Sequence, residues 1–321
     1  MKFRTEIKIA PFVTPIDYAD RLLALGSCFS EHIAHRLVAA KFRVVANPSG
    51  ILFNPLSLAA TLQDYLHPTH VDVSELCTDG EQWFHYGFHG DFAAPTLEEA
   101  KRCMDAARQQ GAEALAAADW LLLTFGTAWV YERHGRVVAN CHRQPANEFQ
   151  RRRLGVSEIV ERFAELLSGP LADKRVVLTV SPVRHVGEGL AENNLSKAIL
   201  RLAAEELSAR FEQVEYFPAY EILMDDLRDY RFYADDLVHP SSQAIAYVWE
   251  KFVDAALSTK ARQLLPEVEA VVAAASHRPR NERSERHKEF CRRFLEKIAA
   301  LPEIDFSEEA AAFRRSIEIN S

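Results

Sequence analysis

The 321 residues predict an α/β protein, a parallel five-stranded sheet covered on both faces by helices, with insertions forming a cap and a helical tail at the end. Three observations carry this. Short, mostly apolar runs recur along the chain, and the clearest of them stop at Gly or Ser-Pro. Segments of helical spacing separate them. The runs are largely apolar rather than alternating, as strands buried on both faces are.

The first run, residues 21–25 (Arg-Leu-Leu-Ala-Leu), ends at Gly26, and helical spacing follows from Phe29 to Ala40: strand, tight turn, helix. Residues 42–46 give a second strand, broken by Asn47-Pro48-Ser49-Gly50. Residues 119–125 give a third, stopped by Gly126, and residues 175–180 a fourth, stopped by Ser181-Pro182. Residues 213–217 are a weaker fifth. Helices are expected over 156–168, 192–209 and 241–258. In open sheets of this kind ligands bind beyond the carboxyl ends of the strands, so the residues just after each strand matter most.

Two stretches break the alternation. Residues 66–118 carry Gln82-Trp83-Phe84-His85-Tyr86-Gly87-Phe88-His89, expected as a hairpin, and then a helix around 96–117. Residues 130–155 pair Val130-Tyr131-Glu132 with Arg136-Val137-Val138 about a turn at His134-Gly135. Insertions at a strand's carboxyl end commonly shape a substrate cap. The main domain is expected over 1–276. Residues 277–321, opening on a highly charged run, are expected as an appended, partly mobile helical tail. There is no internal repeat.

Composition removes several classes. A net charge of −8 gives no reason to expect nucleic acid. The longest apolar run, Trp120–Phe125, is far short of the roughly 20 residues a membrane span needs. The first residues alternate charged and apolar side chains and lack the apolar core of a secretory signal. Five scattered cysteines without a CxxC pair argue against a disulfide framework and a structural zinc site, which makes a reducing cytoplasm the expected location. No cofactor is expected, and the oligomeric state is unassigned.

Two motifs can carry chemistry. In Gly26-Ser27-Cys28-Phe29-Ser30-Glu31 a sharp strand-to-helix turn would hold a nucleophile clear of its neighbours. At a helix N-terminus a cysteine should have a lowered pKa, whereas a serine would need a base. The plainer reading makes Ser27 a helix cap and Cys28 a small buried residue. In Asp235-Asp236-Leu237-Val238-His239-Pro240-Ser241 a carboxylate three residues before a histidine can orient the imidazole and leave its other nitrogen for a nucleophile. The plainer reading has Asp236 capping a turn.

Together with Asn47-Pro48-Ser49-Gly50-Ile51-Leu52-Phe53-Asn54-Pro55, Asn140-Cys141-His142 and Ser181-Pro182-Val183-Arg184, these motifs resemble the GSCFA family over roughly residues 20–260, with Ser30 where the family usually has Ala. That family is placed with the SGNH (GDSL-like) hydrolases, so the resemblance implies a flavodoxin-like three-layer α/β/α sandwich. It also implies a nucleophile in the first motif. Aligned with Gly-Asp-Ser-Leu without gaps, Cys28 falls on the nucleophile; a shift of one makes it Ser27, and the strand end at Leu25-Gly26 favours Cys28. The superfamily's oxyanion hole uses the nucleophile's N–H, a glycine after strand two, matched by Gly50, and an asparagine after strand three. Here strand three ends Gly126-Thr127-Ala128-Trp129, so that asparagine is missing, and Thr127 or Asn54 would have to substitute. One such donor is typically worth about 100- to 1,000-fold in rate.

The remaining polar groups have two readings each. Arg184 and His185 follow strand four; Arg184 either pairs with a substrate anion or ties down a loop. His142 is better read as a hydrogen-bonded pocket histidine than as a metal ligand. His85 and His89 share a strand face, and a substrate-facing role suits them better than a metal. Trp83 and Trp129 are expected in the core. The leading function is an ester or thioester hydrolase, or acyltransferase, acting on a small acyl group of a carbohydrate or lipid. The competing class is a non-catalytic binding protein that retains the pocket. A redox-sensing thiol at Cys28 is a third reading, without a resolving cysteine nearby in sequence.

Overall fold

A computed structural model describes residues 4–277, 279, 281 and 284–318. Strand β1 (Arg21–Gly26) leads into helix α1 (Cys28–Ala39), strand β2 (Arg43–Ala46) and helix α2 (Pro55–Leu66). A hairpin of β3 (Cys77–Thr78) and β4 (Trp83–Phe84) and the long α3 (Leu97–Ala117) precede β5 (Trp120–Phe125). Strands β6 (Trp129–Arg133), β7 (Arg136–Val138) and β8 (Gln150–Arg153) are followed by α4 (Val156–Ser168), β9 (Arg175–Val180), α5 (Leu190–Arg210) and β10 (Val214–Tyr216). Helix α6 (Ala219–Glu221) continues as a π-helical turn over Ile222–Leu227, and α7 (Ser242–Ala256), α8 (Thr259–Ser276), α9 (Glu285–Ala299) and α10 (Ser307–Glu318) complete the chain.

The central sheet is parallel in the order β10-β9-β5-β1-β2. Counted along the chain, this is the 2-1-3-4-5 order of a flavodoxin-like doubly wound sheet, whose switch point lies between its first and third strands, β1 and β5. Side chains alternate across the sheet. Leu22 and Ala24 of β1 pack with α1, α7, α8 and α9, while Leu23 and Leu25 pack with α2, α4 and α5. Both sides are buried, which is why β1 reads as one apolar run; each fully buried leucine contributes about 1.5–3 kcal/mol. The result is the expected three-layer sandwich.

The five sheet strands and the helices at 29–40, 96–117, 156–168, 192–209 and 241–258 form within a few residues of expectation. Among the helices that were not anticipated are α2 and α8. In α2 the Asn54 side chain accepts from Ser57 N–H (2.8 Å) and Pro55 takes the first helical position, so a segment resembling a turn is a helix start. Helix α8 begins where Ser258 caps it, with Oγ accepting from Ala261 N–H (2.9 Å).

The insertions form two small sheets, the β3–β4 hairpin and the antiparallel β7-β6-β8 ribbon, beyond the ends of β2 and β5. Trp83 and Trp129 are half-buried rather than core residues. At the other end of the chain, Cys291 and Phe294 of α9, Phe313 of α10, and Ile304 and Phe306 between them share one buried cluster with α1 and α7. Part of the charged run before α9 (Arg278, Arg280, Glu282, Arg283) lies outside the described residues.

Candidate active site

At the carboxyl end of β1 the backbone turns sharply. Gly26 has φ +143°, and a Cβ there would lie 2.4 Å from the Thr124 carbonyl oxygen of β5, so the position requires glycine. Its N–H donates to Asn47 Oδ1 (2.9 Å), and its carbonyl accepts from Leu52 N–H (2.9 Å), tying the turn to the loop after β2. Ser27 stands at the N-cap of α1, but its side chain makes no capping bond. Among the described residues its buried Oγ has no hydrogen-bond partner. Cys28 opens the helix and is half-buried.

Burial pushes the Cys28 thiol up, opposite to the lowered value the helix N-terminus alone would give. Glu31 pushes the same way, while a backbone hydrogen bond and the charge of Lys197 pull it back down. Desolvation outweighs these here because the thiol is largely covered.

The second motif forms a closed loop before α7. Ala234 N–H donates to the His239 carbonyl (2.8 Å) and Ser241 N–H to the Phe232 carbonyl (2.8 Å). Leu237, at its tip, has φ +58°. Within the loop His239 Nδ1–H donates to Asp236 Oδ2 (2.6 Å), and Asp236 Oδ1 accepts from the N–H groups of Val238 (2.9 Å) and His239 (3.0 Å). Asp236 therefore does both things the sequence suggested: it shapes the turn and orients the imidazole. The His239 backbone bond, the His239 side chain and the Val238 bond hold its carboxyl down at about 2.

A depressed carboxyl pKa stabilises the folded state above the unfolded value near 3.9 and loses that contribution as pH falls toward about 2. Asp236→Asn should accordingly flatten the acid limb of thermal stability between about pH 4 and 2. An acid limb of unchanged steepness, followed by melting temperature against pH, would count against the pairing.

The loop is joined to the sheet edge through Arg184. Its N–H donates to the Val238 carbonyl (3.1 Å), and its guanidinium lies 3.9 Å from the Tyr233 ring centroid and 3.4 Å from the Leu237 carbonyl. Of the two readings of Arg184, loop anchoring is the one visible here. Burial disfavours charge on His32 of α1 and on His185, and the nearby His239 adds to it in both cases. Among the described residues neither Ser27 Oγ nor Cys28 Sγ hydrogen-bonds to His239.

The expected oxyanion donors are engaged elsewhere. Gly50 N–H donates to the Asn47 carbonyl (2.7 Å), closing a turn in which Gly50 has φ +84° and packs against His89. Thr127 N–H is taken by the Phe53 carbonyl (2.8 Å), and its hydroxyl meets Trp129 N–H and Ser196 Oγ. Asn54 Oδ1 and Nδ2 both serve Ser57 as the α2 cap. The unsatisfied N–H groups that any helix start leaves, here at α1, remain available.

A cleft of about 460 Å³ gathers Asn54, Thr127, Arg184 and His185 with Trp129 and Cys141, while Ser27, Cys28, Gly50, Asp236 and His239 are not part of its lining. His185 meets Phe53 edge-on, and its Nε2 is buried without a partner. Burial, with Lys197 and His239, pushes it down to about 4, so it is neutral at physiological pH. His142 sits in the cap, its Nε2–H donating to the His85 carbonyl (3.0 Å) and its ring stacked on Phe84. His85 pairs with Glu75 and His89 with Asp91. Among the described residues no group of three or more His, Cys, Asp or Glu side chains is placed to hold a metal ion.

Lys197 was missed. It is 1% exposed, and its Nζ donates to the carbonyls of Gly126 (2.6 Å) and Ser181 (2.7 Å), at the ends of β5 and β9. Burial pushes it down to about 7, partly opposed by Cys28. A signal existed: the apolar stripe Leu200, Ala203, Ala204, Leu207 of α5, continued back one turn, lands on Lys197.

This strand order puts the Ser27–Cys28 turn after β1, and the Asp236–His239 loop tied to the segment after β9, at the sheet edge where open α/β proteins bind ligands. The chain belongs to the GSCFA family: that family matches residues 21–252, and the GSCFA domain protein, C-terminal domain, matches residues 268–319. The second match begins inside α8, earlier than the boundary at 277 expected from charge alone. No curated protein matches the chain. No helix among the described residues is long and apolar enough to cross a membrane.

Proposed function

We propose that this protein is an SGNH-like acyl-transfer enzyme, a hydrolase of esters or thioesters or a transferase using the same intermediate. The observation that carries this reading is the His239–Asp236 pair, held at 2.6 Å in a loop hydrogen-bonded to the segment after β9. With Nδ1 committed to Asp236, Nε2 is the nitrogen that takes and returns a proton.

In the proposed reaction Cys28 Sγ, or Ser27 Oγ, attacks the acyl carbon and gives its proton to His239 Nε2. The carbonyl π pair moves to oxygen, and the N–H groups at the start of α1 hold that oxyanion. Collapse expels the leaving group, which takes the proton from His239, and leaves an acyl-enzyme. Water or an acceptor hydroxyl then attacks the acyl carbon and passes its proton to His239, and collapse breaks the bond to Cys28 or Ser27, which takes that proton back. Gly50 would contribute a further donor once its turn releases the Asn47 carbonyl. The substrate would be a small acyl group on a carbohydrate or lipid, entering between the body and the cap segments 66–118 and 130–155. Catalytic hydrogen bonds often tighten only when substrate is bound, so the open His239–nucleophile contact is compatible with this reading.

The engaged N–H groups of Gly50 and Thr127 favour a second reading, a binding protein using the same cleft. Acyl-enzyme trapping separates the two. Exposure to an activated short-chain ester, with intact-mass and peptide analysis, should add an acyl group at Cys28 or Ser27. The adduct should vanish in the matching alanine variant and in His239→Ala. Folded protein that is never labelled in a His239-dependent way would leave the binding reading.

A further inference from the structure

The mechanism above makes no use of Lys197. A buried ammonium is costly unless an anion or several dipoles compensate it. Lys197 has two carbonyls and, among the described residues, no carboxylate within ion-pairing distance. One of those carbonyls belongs to Gly126, which lies against the nucleophile turn: a Cβ on Gly126 would be 3.3 Å from Ser27 Cβ. The ammonium thus sits beneath the segment carrying Ser27 and Cys28, and the charges of Lys197 and Cys28 act on each other. Glu31, His32 and His35 of α1, His185 after β9, Tyr220 of α6, whose ring centroid lies 6.0 Å from Lys197 Nζ, and His239 before α7 are titratable groups of this neighbourhood. Glu31 opposes an anion at Cys28, and His185 is neutral. Lys197 is therefore a positive charge already in place when a new anion forms here.

We infer that Lys197 is a positioning residue that supplies the buried counter-charge for a thiolate at Cys28, and so makes Cys28 rather than Ser27 the nucleophile. When the Cys28 S–H bond breaks, the electron pair stays on sulfur and the proton leaves to His239 or solvent. Lys197 keeps its own proton and gains the anion its site lacks. Ser27 Oγ is buried without a hydrogen-bond partner among the described residues, and a hydroxyl, unlike a thiol, needs a base in contact to lose its proton. The inference rests on the acyl-transfer reading for what the thiolate does, but not for its formation.

The test reads thiolate directly. Iodoacetamide labelling of the Cys28 peptide is followed by mass spectrometry from pH 6 to 9.5. Full-length chains carry His239→Ala, so that imidazole cannot contribute, with and without Lys197→Met. At pH 6, where Lys197 is an ammonium, Cys28 should be labelled about 10-fold faster with Lys197 present, the equivalent of one pKa unit. The ratio should approach one by pH 9.5, as Lys197 loses its proton. A ratio that stays constant with pH would mean that Lys197 only packs, and the inference would be wrong. Should Lys197→Met not fold, the Lys197-containing profile decides alone. Coupled thiol and ammonium give a shoulder near pH 7, and a single-step titration overturns the proposal. Labelling needs no acyl turnover, so absence of esterase activity and absence of this coupling are separate results.

Discussion

His239→Ala should lower acyl-enzyme formation from an activated ester by about 10²- to 10⁴-fold, the usual worth of a positioned general base. Asp236→Asn is the sharper experiment. The Asp236 Oδ1 bonds to Val238 and His239 N–H survive if the new amide nitrogen takes the Oδ2 position, so the loop keeps its shape. That nitrogen would then donate to His239 Nδ1 and drive the ring proton to Nε2, where it blocks acceptance from the nucleophile. In a comparable triad this change costs about 10⁴-fold. Burst kinetics with a p-nitrophenyl ester, beside circular dichroism to show that the loop and fold persist, give the measurement. Activity within about threefold of the unaltered chain in both variants would remove His239 from the chemistry.

What was legible in the sequence, and what was not, follows from the range over which each feature is determined. The strands were readable because both faces of β1, β5 and β9 are covered, so their inner positions are apolar save for Thr124 and Thr179 and the period of two is lost. The Asp236–His239 pair was readable because its partners are three residues apart on one loop. Cys28 was placed correctly at the helix start, yet the direction of its shift was misjudged. The helix end is a local property, whereas desolvation depends on what the rest of the fold lays over the thiol. The present partners of the oxyanion candidates were hidden in the same way. That Gly50 follows strand two can be read off the chain, but that its N–H closes a turn on Asn47 cannot. Helix α2 was hidden because Asn54-Pro55 is as good a turn signal as a cap followed by a first-turn proline. Lys197 is the extreme case, a lysine on the apolar stripe of α5 whose partners lie 71 and 16 residues away.

Gly26→Ala should be strongly destabilising, and it joins fold to site. Gly26 is the last residue of β1 and lies in register with Thr124 of β5 across the switch point. The strands are hydrogen-bonded neighbours, so the Thr124 carbonyl, 2.4 Å from the added Cβ, cannot swing away as a side chain would. A backbone of φ +143° adds strain that alanine cannot relieve locally. Strained backbone costs about 1–3 kcal/mol and overpacking about 1–3 kcal/mol more, so a loss of about 2–6 kcal/mol is expected. Against typical total stabilities of about 5–15 kcal/mol this is a large share, and the urea midpoint should fall by about 1 M or more. Gly155→Ala is the matched control: Gly155 has φ −87° and nothing within 4 Å of the added carbon, so its midpoint should hardly move. If chain relaxation absorbs the clash, the Ser27–Cys28 turn must shift with it, because Asn47 and Leu52 are bonded to Gly26 itself. Labelling of Cys28 would then change even where stability does not. A variant with both an unaltered urea midpoint and unaltered Cys28 labelling would mean that the turn is not held as tightly as the β1–β5 register requires.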